Sequence, residues 1–295
     1  QEAEDFYAAM KDPKDETPVS FGLNSRLVKE NGVVKELVWK VGGLYGEALE
    51  KIVYWLQKAE GVAETPEQKA GVYQISNAGQ LYWFAAVVNN GYGNTAQNNA
   101  ACAVLTDDIV VNKNVLNSDG ELNGDGSGFK EWTPIGDDYI NYLGNFDGQE
   151  HTIGGLYICS DTASYIGLFG YVGNKNCTDV HIKNVGIIDS CFIGRRNVSA
   201  IVNTNHGIVE NCFNKGTMIS QNNSSGISIH NHNIIRNCYN IGKIGDAGSS
   251  CACGIVYNNY KFIENCYNAG ELNATDRIRG ITTTSSNVTY ANCYY

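Results

Sequence analysis

The sequence lacks three features that would place it in a familiar functional class. No apolar run reaches the ~18–20 residues that a membrane-spanning helix needs, so this fragment is not expected to cross a bilayer. There is no surplus of basic residues, because 21 Lys and Arg face 31 Asp and Glu, for a net charge of −10. A partner with a nucleic-acid backbone is therefore not expected.

Both ends of the sequence also lack the features of natural termini. The chain begins with Gln1 rather than methionine, has no signal peptide and stops at Tyr295, inside a further copy of a repeated motif. We therefore expect a fragment of a longer protein, so missing export or anchoring signals exclude nothing.

Composition changes sharply near residue 70. Residues 1–70 contain three of the four prolines and six of the 33 glycines, and 22 of these 70 residues are charged. The remainder is poor in charge and rich in glycine and asparagine, and it contains all ten cysteines. This change predicts two unlike units, a small α-rich segment over 1–70 and a repeat domain over 71–295.

Within the first unit, residues 46–63 place apolar side chains on one helical stripe and predict an amphipathic helix. Residues 36–41 before it suit a strand or a short helix. The stretches 12–32 and 40–64 resemble a piece of bacterial dipeptidyl peptidase III, a zinc metallopeptidase family. That family carries a HExxGH zinc motif, but none of the five histidines here lies in such a frame. No catalytic residue is therefore transferred, and a peptidase fragment without its zinc motif remains one alternative for this chain.

The second unit repeats itself about every 27 residues. The heptapeptide ENCYNAG (264–270) has close relatives at 210–216 and 236–242, and a Gly-Ile or Ala-Ile pair recurs at 200, 226, 254 and 280. Each repeat holds short β-rich stretches between turns of Asn, Gly and Ser, with no helical pattern inside it. This arrangement predicts a single-stranded, right-handed parallel β-helix, in which equivalent residues stack ~4.8 Å apart.

Stacking predicts ladders of like side chains along the solenoid. Strict alternation in Glu264–Asn268 places Cys266 and Ile263 on opposite faces of the strand. We expect one column of reduced, structural cysteines and one column of asparagine side chains at a corner of the coil. Gly216, Gly242 and Gly270 are expected to relax the backbone at the turn. The members of these columns are Cys191, Cys212, Cys238, Cys266 and Cys293 for the thiols, and Asn214, Asn240 and Asn268 for the amides.

The open end of a solenoid needs a cap, because its first coil presents unpaired strand edges. Residues 78–88 predict a short capping helix, preceded by a strand at 72–75. Further strands are predicted at 102–106, 109–111, 153–158 and 185–188.

This unit resembles the Gly-Leu-x-Gly (GLUG) repeat solenoids of bacterial surface proteins. The matching stretches are 75–89, 132–136, 146–156 and GLFG at 167–170, followed by the Asn-Cys-Tyr-Asn-x-Gly copies. The resemblance implies a right-handed β-helix at a bacterial cell surface, with adhesion or glycan binding and without a fixed catalytic site.

Two metal sites are conceivable from residue types. The repeat alignment places His206 over His232, with His230 two residues earlier, and three imidazoles within reach suit a transition metal. A solvated turn column is the alternative. The segment Asp119–Asp125 alternates oxygen donors at 119, 121, 123 and 125 as a calcium loop does, but Lys130 occupies its closing position. A flexible glycine-rich loop is the alternative there.

Aromatic residues offer the best candidates for a binding surface. One column is predicted next to the cysteines, and it either forms an exposed strip for a glycan or a surface protein or packs as core. Its members are Phe192, Phe213, Tyr239, Tyr267 and Tyr294. Trp132, Tyr139 and Tyr142 form a second group.

The leading hypothesis is thus a non-enzymatic surface module for adhesion, glycan or protein binding, or spacing, with no cofactor. A polysaccharide-cleaving β-helix enzyme is the alternative. It would need paired carboxylates ~5–9.5 Å apart or a carboxylate-bound calcium ion, and no such pair recurs at one coil's spacing.

Overall fold

The structure is a computed structural model that describes residues 25–30, 33–39, 64–163, 165–284 and 289–295. The chain divides into two compact units, Gln1–Thr65 and Pro66–Tyr295. The division lies five residues before the predicted boundary, because strand β3 (Glu67–Lys69) pairs antiparallel with β4 (Val72–Ile75) and so belongs to the second unit.

In the first unit the described residues form one antiparallel pair, β1 (Ser25–Glu30) and β2 (Val33–Trp39). Strand β2 covers most of the segment for which the sequence left strand or short helix open. The amphipathic helix predicted at 46–63 lies outside the described residues.

The second unit is a β-solenoid of about eight turns with one helix, as the sequence predicted. Its strands form four sheets, A to D, and all their pairings are parallel except that of β3 with β4. Sheet A contains β3, β4, β5 (Cys102–Leu105), β7 (Phe146–Asp147), β11 (His181–Lys183), β15 (Ile208–Glu210), β19 (Ile234–Arg236), β24 (Phe262–Glu264) and β28 (Thr289–Ala291). Sheet B contains β6 (Ile109–Val110), β8 (Thr152–Gly154), β9 (Tyr157–Ser160), β12 (Gly186–Gly194), β16 (Phe213–Ser220), β20 (Tyr239–Asn240), β21 (Lys243–Ile244) and β25 (Tyr267–Asn268).

From β11 onwards, sheets C and D complete each coil between sheet B and the next strand of sheet A. Sheet C contains β10 (Phe169–Val172), β14 (Val202–Asn205), β18 (Ser228–Asn231), β23 (Val256–Asn259) and β27 (Thr282–Thr284). Sheet D contains β13 (Asn197–Ser199), β17 (Asn223–Ser225), β22 (Cys251–Cys253) and β26 (Arg277–Arg279). The chain therefore visits the sheets in the order A, B, D, C.

Register between coils confirms the repeat. Ile208 pairs with Ile234, and Ile234 pairs with Phe262, at separations that match the period read from the sequence. In strands β11, β15, β19 and β24 the middle residue, such as Ile235 or Ile263, is buried, and its neighbours face outwards. Stacked aliphatic side chains thus form a continuous core along the solenoid.

A single helix, α1 (Ala78–Asn89), closes the first coil. Asn77 caps it by accepting a hydrogen bond from the Gln80 N–H, and the helix buries seven of its residues. Phe84 packs edge-on against Tyr142 and lies 6.2 Å from the ring of Phe146, inside the next coils. The helix therefore covers the core at the N-terminal end of the solenoid, as its pattern predicted.

Among the described residues, no helix is long and apolar enough to cross a membrane.

Candidate functional site

The repeated Asn-Cys-aromatic-Asn-x-Gly motif forms a sharp corner between sheets A and B. Its first asparagine has a positive φ, near 53° at Asn237 and 51° at Asn265. This left-handed residue resets the alternation, so Ile263 and Cys266 are both buried although strict alternation placed them on opposite faces. Asparagine tolerates that conformation better than most residues.

The corner asparagines form a ladder on the solenoid surface. Each side-chain amide donates to the carbonyl oxygen of the preceding one, at 2.8–3.1 Å. The ladder runs through Asn184, Asn211, Asn237, Asn265 and Asn292. Asp147 accepts from Asn184 at its end.

The second asparagine of the motif forms an inner ladder. Asn214 donates to Asn240 at 2.8 Å, and Asn240 donates to Asn268 at 2.7 Å. The first two side chains are fully buried, and Asn268 is 8% exposed. Gly226 of the recurring Gly-Ile pair makes room for this ladder, because a Cβ there would lie 2.7 Å from Cβ and Cγ of Asn240.

The glycines that follow the inner-ladder asparagines are required because a side chain would not fit there, not because the backbone needs the conformational freedom of glycine. A Cβ at Gly242 would lie 2.7 Å from the side-chain nitrogen of Asn214, and its φ is not among the positive values. The expectation that these glycines relax a strained turn was therefore wrong.

Cysteines form a buried column beside the inner ladder. The thiols of Cys212, Cys238 and Cys266 each donate to the carbonyl two residues earlier at 3.2 Å. Cys293 does so too and is less buried, and all ten cysteines are free thiols. Burial raises the pKa of Cys238 well above its ordinary value, so this thiol stays protonated.

The first position of the predicted column needs correction. Cys191 pairs with Thr217, and Phe192 pairs with Met218, so neither belongs to the columns of Cys212 and Phe213. Strand β12 shifts register between Ile188 and Cys191, where Asp189 has a positive φ. This bulge shifts the register by one residue only. The 21-residue spacing from Cys191 to Cys212 is short because Cys191 lies further along β12, while Gly186 pairs with Phe213 and so places Val185 at the position of Cys212.

The aromatic column at the corner consists of Phe213, Tyr239 and Tyr267, with Tyr294 paired to Tyr267 in the last coil. Neighbouring rings stack at 5.0 Å and 3°, so each ring covers the face of the next one. Gly186 provides room for the ring of Phe213. Solvent therefore meets ring edges and hydroxyls, and Tyr267 is 42% exposed.

The second predicted aromatic group does not form a surface. Trp132 is 3% exposed and donates its indole N–H to the carbonyl of Leu168. Tyr142 is fully buried and its hydroxyl donates to the carbonyl of Ala101. Tyr139 alone is exposed, at 90%. The binding role predicted for Trp132 and Tyr142 is therefore corrected to packing.

The candidate calcium loop uses its oxygens to hold its own turns. Asp125 accepts hydrogen bonds from the N–H and hydroxyl of Ser127, which lower its pKa, and Glu121 lies 3.6 Å from Lys243. Over the described ranges, no group of three or more His, Cys, Asp or Glu side chains is placed to hold a metal ion.

The histidines of the predicted metal site are brought together as a stack. His206 and His232 lie face to face, 4.4 Å apart at 8°, and Tyr171 and Tyr260 extend the stack on either side. Stacked imidazoles direct their nitrogens sideways, not to a shared point. His230 stands beside the stack, 6.5 Å from His232, and its Nδ1 lies 3.3 Å from the amide nitrogen of Asn258.

This stack borders an open cleft of about 440 Å³ at the junction of sheets C and D. Three tyrosines, two histidines, one threonine, one asparagine and one arginine line it. The lining residues are Tyr165, Tyr171, Arg196, Asn197, Thr204, His230, His232 and Tyr260. Mixed aromatic and polar walls of this kind are typical of small-ligand sites.

Burial keeps the imidazoles of the stack neutral. It lowers the pKa of His206 to about 4, with a smaller contribution from His232, and lowers the pKa of His230 and His232 as well. At neutral pH the charge on the cleft lining is therefore that of Arg196.

The sequence predicted that His206, His230 and His232 lie close together, but it did not predict the cleft beside them. Tyr165, Tyr171, Arg196 and Thr204 come from different strands and turns, and no shared motif marks them. A further inner amide ladder, Asn205 to Asn231 to Asn259, was also missed. Its members stand 26 and 28 residues apart, so the period read from the cysteines would have found it.

Comparisons with known proteins support the fold alone. No protein-family model and no curated protein matches the sequence. The crystal structure of a "putative immunoglobulin A1 protease" from Bacteroides ovatus is similar, with a TM-score of 0.54 and 20% identity. The similarity covers 78% of this chain and 77% of that chain.

Proposed function

We propose that this chain is a non-enzymatic, carbohydrate-binding β-solenoid module of a bacterial surface protein. The observation that carries the proposal is the cleft between sheets C and D, because it combines aromatic rings with hydrogen-bonding groups on a rigid wall. A sugar ring presents apolar C–H faces and a rim of hydroxyls, and such a lining satisfies both.

The rigidity of the cleft supports binding. Four of its side chains, those of Tyr171, Asn197, Thr204 and His230, project from strands of sheets C and D. An amide ladder from Asn205 through Asn231 holds neighbouring coils together there. Tyr171 is fixed by a 2.9 Å hydrogen bond between its hydroxyl and Nε2 of His206. Groups that are ordered before binding lose little conformational entropy when a ligand docks.

The placement of the carboxylates supports a role without catalysis. Asp108 accepts hydrogen bonds from Thr152, and Asp189 accepts from the backbone of Leu116. Asp147 binds Asn184 and Lys183. These acids hold loops and ladders, and none lines the cleft.

The aromatic column of Phe213, Tyr239 and Tyr267 is a second proposed contact surface for a glycan or a surface protein. It offers ring edges and two hydroxyls at the ring spacing of 5.0 Å, so hydrogen bonding would dominate over ring stacking. The extracellular or cell-surface location belongs to the same proposal, since the sequence resemblance to surface solenoids and a structural neighbour from Bacteroides ovatus support it.

A glycan array probed with the purified chain tests the proposal. We expect bound glycans to be lost in Tyr260→Ala, which opens one wall of the cleft, and to be retained in Tyr139→Ala, an exposed tyrosine outside it. Tyr239→Ala and Tyr267→Ala test the second surface in the same assay. Absence of all glycan binding, or release of reducing ends from the arrayed polysaccharides, would contradict the proposal.

A further inference from the structure

The cleft beside the histidine–tyrosine stack has an uneven balance of donors and acceptors. Its lining includes the Arg196 guanidinium, the amide of Asn197 and the hydroxyl of Tyr260, and no carboxylate. The side-chain oxygen of Asn197 already accepts from Asn223 at 3.0 Å, which leaves its NH2 group facing other partners. Such a site is suited to a ligand rich in acceptors.

The backbone of Arg196 is held in place by two hydrogen bonds. Its carbonyl accepts hydrogen bonds from the hydroxyl of Ser220 and from the N–H of Asn223, which anchor the turn between β12 and β13. In the part of the chain that the structure describes, its guanidinium forms no ion pair. The side chain of Arg196 is exposed. An uncompensated guanidinium at a cleft wall favours a planar anionic partner, which it binds through two parallel hydrogen bonds.

The imidazoles add neutral donors. Asn258 donates to Nδ1 of His230 when its amide nitrogen faces that atom, so the ring proton lies on Nε2. The nearest carboxylate is Asp138, whose Oδ2 lies 3.4 Å from the hydroxyl of Tyr165. Burial raises the pKa of Tyr171, and the negative charge of Asp138 raises it further. Asp138 does not line the cleft.

We infer that the cleft binds a carboxylated pyranose, a uronic acid or a sialic acid, with its carboxylate on Arg196 and its ring against the tyrosines and imidazoles. This inference rests on the proposed carbohydrate-binding function and adds the class of sugar. Phosphate alone would leave the aromatic wall unused, and a neutral sugar would leave Arg196 without its partner.

Isothermal titration with matched oligosaccharides tests the inference. A trigalacturonate is compared with its methyl ester, and 3′-sialyllactose with its methyl ester, so each pair differs only in the charge of its carboxyl groups and the two pairs separate the two acid sources. We expect at least one acid to bind about tenfold or more tightly than its neutral counterpart, as charge-assisted hydrogen bonds of this kind do. Arg196→Gln should remove that preference, and Arg195→Gln, an equal loss of charge outside the cleft, should keep it.

The remaining outcomes separate the two proposals. Equal affinity for acid and neutral members would overturn the acidic-sugar assignment and leave the carbohydrate-binding function standing. A preference that survives in Arg196→Gln, or is lost equally in Arg195→Gln, would overturn the role of Arg196. Absence of binding by every oligosaccharide in both assays would overturn the proposed function itself.

Discussion

The Nδ2 of Asn240 donates a hydrogen bond to the Oδ1 of Asn268 at 2.7 Å, inside the solenoid and 28 residues further along the chain. Each ladder amide also binds its own coil, since the N–H of Gly216 donates to Asn214 at 2.9 Å. The ladder thus satisfies buried polar groups and fixes the vertical register of the coils at once.

Substituting Asn240 with alanine should lower the free energy of unfolding by about 2–4 kcal/mol. The change removes a hydrogen-bond partner from the buried amides of Asn214 and Asn268 and opens a small cavity. Denaturant titration measures the change. The matched control is Asn273→Ala at an exposed asparagine, which should stay within about 0.5 kcal/mol of the parent. Equal effects at the two positions would mean that the ladder adds little.

The corner asparagines make a different prediction. Asn237→Ala should lower the free energy of unfolding by about 1–2 kcal/mol, because alanine is strained at a φ of 53° and cannot join the surface ladder. Asn237→Gly should cost less, because glycine adopts that φ freely. If both variants lose the same stability, the amide ladder and not the backbone conformation dominates the corner.

Thiol reactivity should divide the cysteines by burial. In the native protein, a colourless aromatic disulfide reagent that releases a coloured thiolate should label the exposed Cys159 quickly. Cys212, Cys238 and Cys266 should react only on unfolding, since they are buried and the pKa of Cys238 is raised by burial. Cys159→Ser should remove the fastest phase, and the half-buried Cys102, Cys177 and Cys293 should react more slowly. Label found by peptide mapping on Cys212, Cys238 or Cys266 of the folded protein would show that the column is open.

Stability should fall in acid because of the histidine stack. The pKa of His206 is about 4 in the folded state, below its ordinary value of 6.5, so the unfolded chain binds more protons between these values. The melting temperature should therefore decline as the pH falls from about 6.5 to 4. His206→Phe keeps an aromatic ring in the stack without a titrating group, and its melting temperature should decline less over this range. An identical decline in both proteins would show that groups other than His206 cause the loss of stability in acid.

Individual residues explain how far the sequence predicted this molecule. The period of about 27 residues, the parallel solenoid and the capping helix, predicted at 78–88, follow from local pattern, and the structure agrees with them. The single strand predicted at 153–158 was wrong, because the chain turns at Gly155, with a φ of 76°, and forms β8 and β9 instead. Cys191 was misplaced because the corner position of its coil holds Val185, not a cysteine, as the pairing of Gly186 with Phe213 shows. Spacing between cysteines cannot reveal a coil in which another residue replaces the cysteine.

The aromatic residues illustrate the same limit. Phe213, Tyr239 and Trp132 are alike in the sequence, but two of them form a half-exposed stack and the third is buried beneath the first coils. Exposure depends on which loop lies over a strand, and these loops are brought in from distant parts of the chain.

What the sequence by itself determined is the repeat and hence the fold, because a parallel solenoid needs only that each coil present the same small set of side chains to its neighbours. What the tertiary structure alone decided is the cleft. Tyr171, Arg196, His232 and Tyr260 meet across successive coils and from two sheets. Their meeting depends on the angle between those sheets and on the vertical register of the coils, which no single repeat encodes.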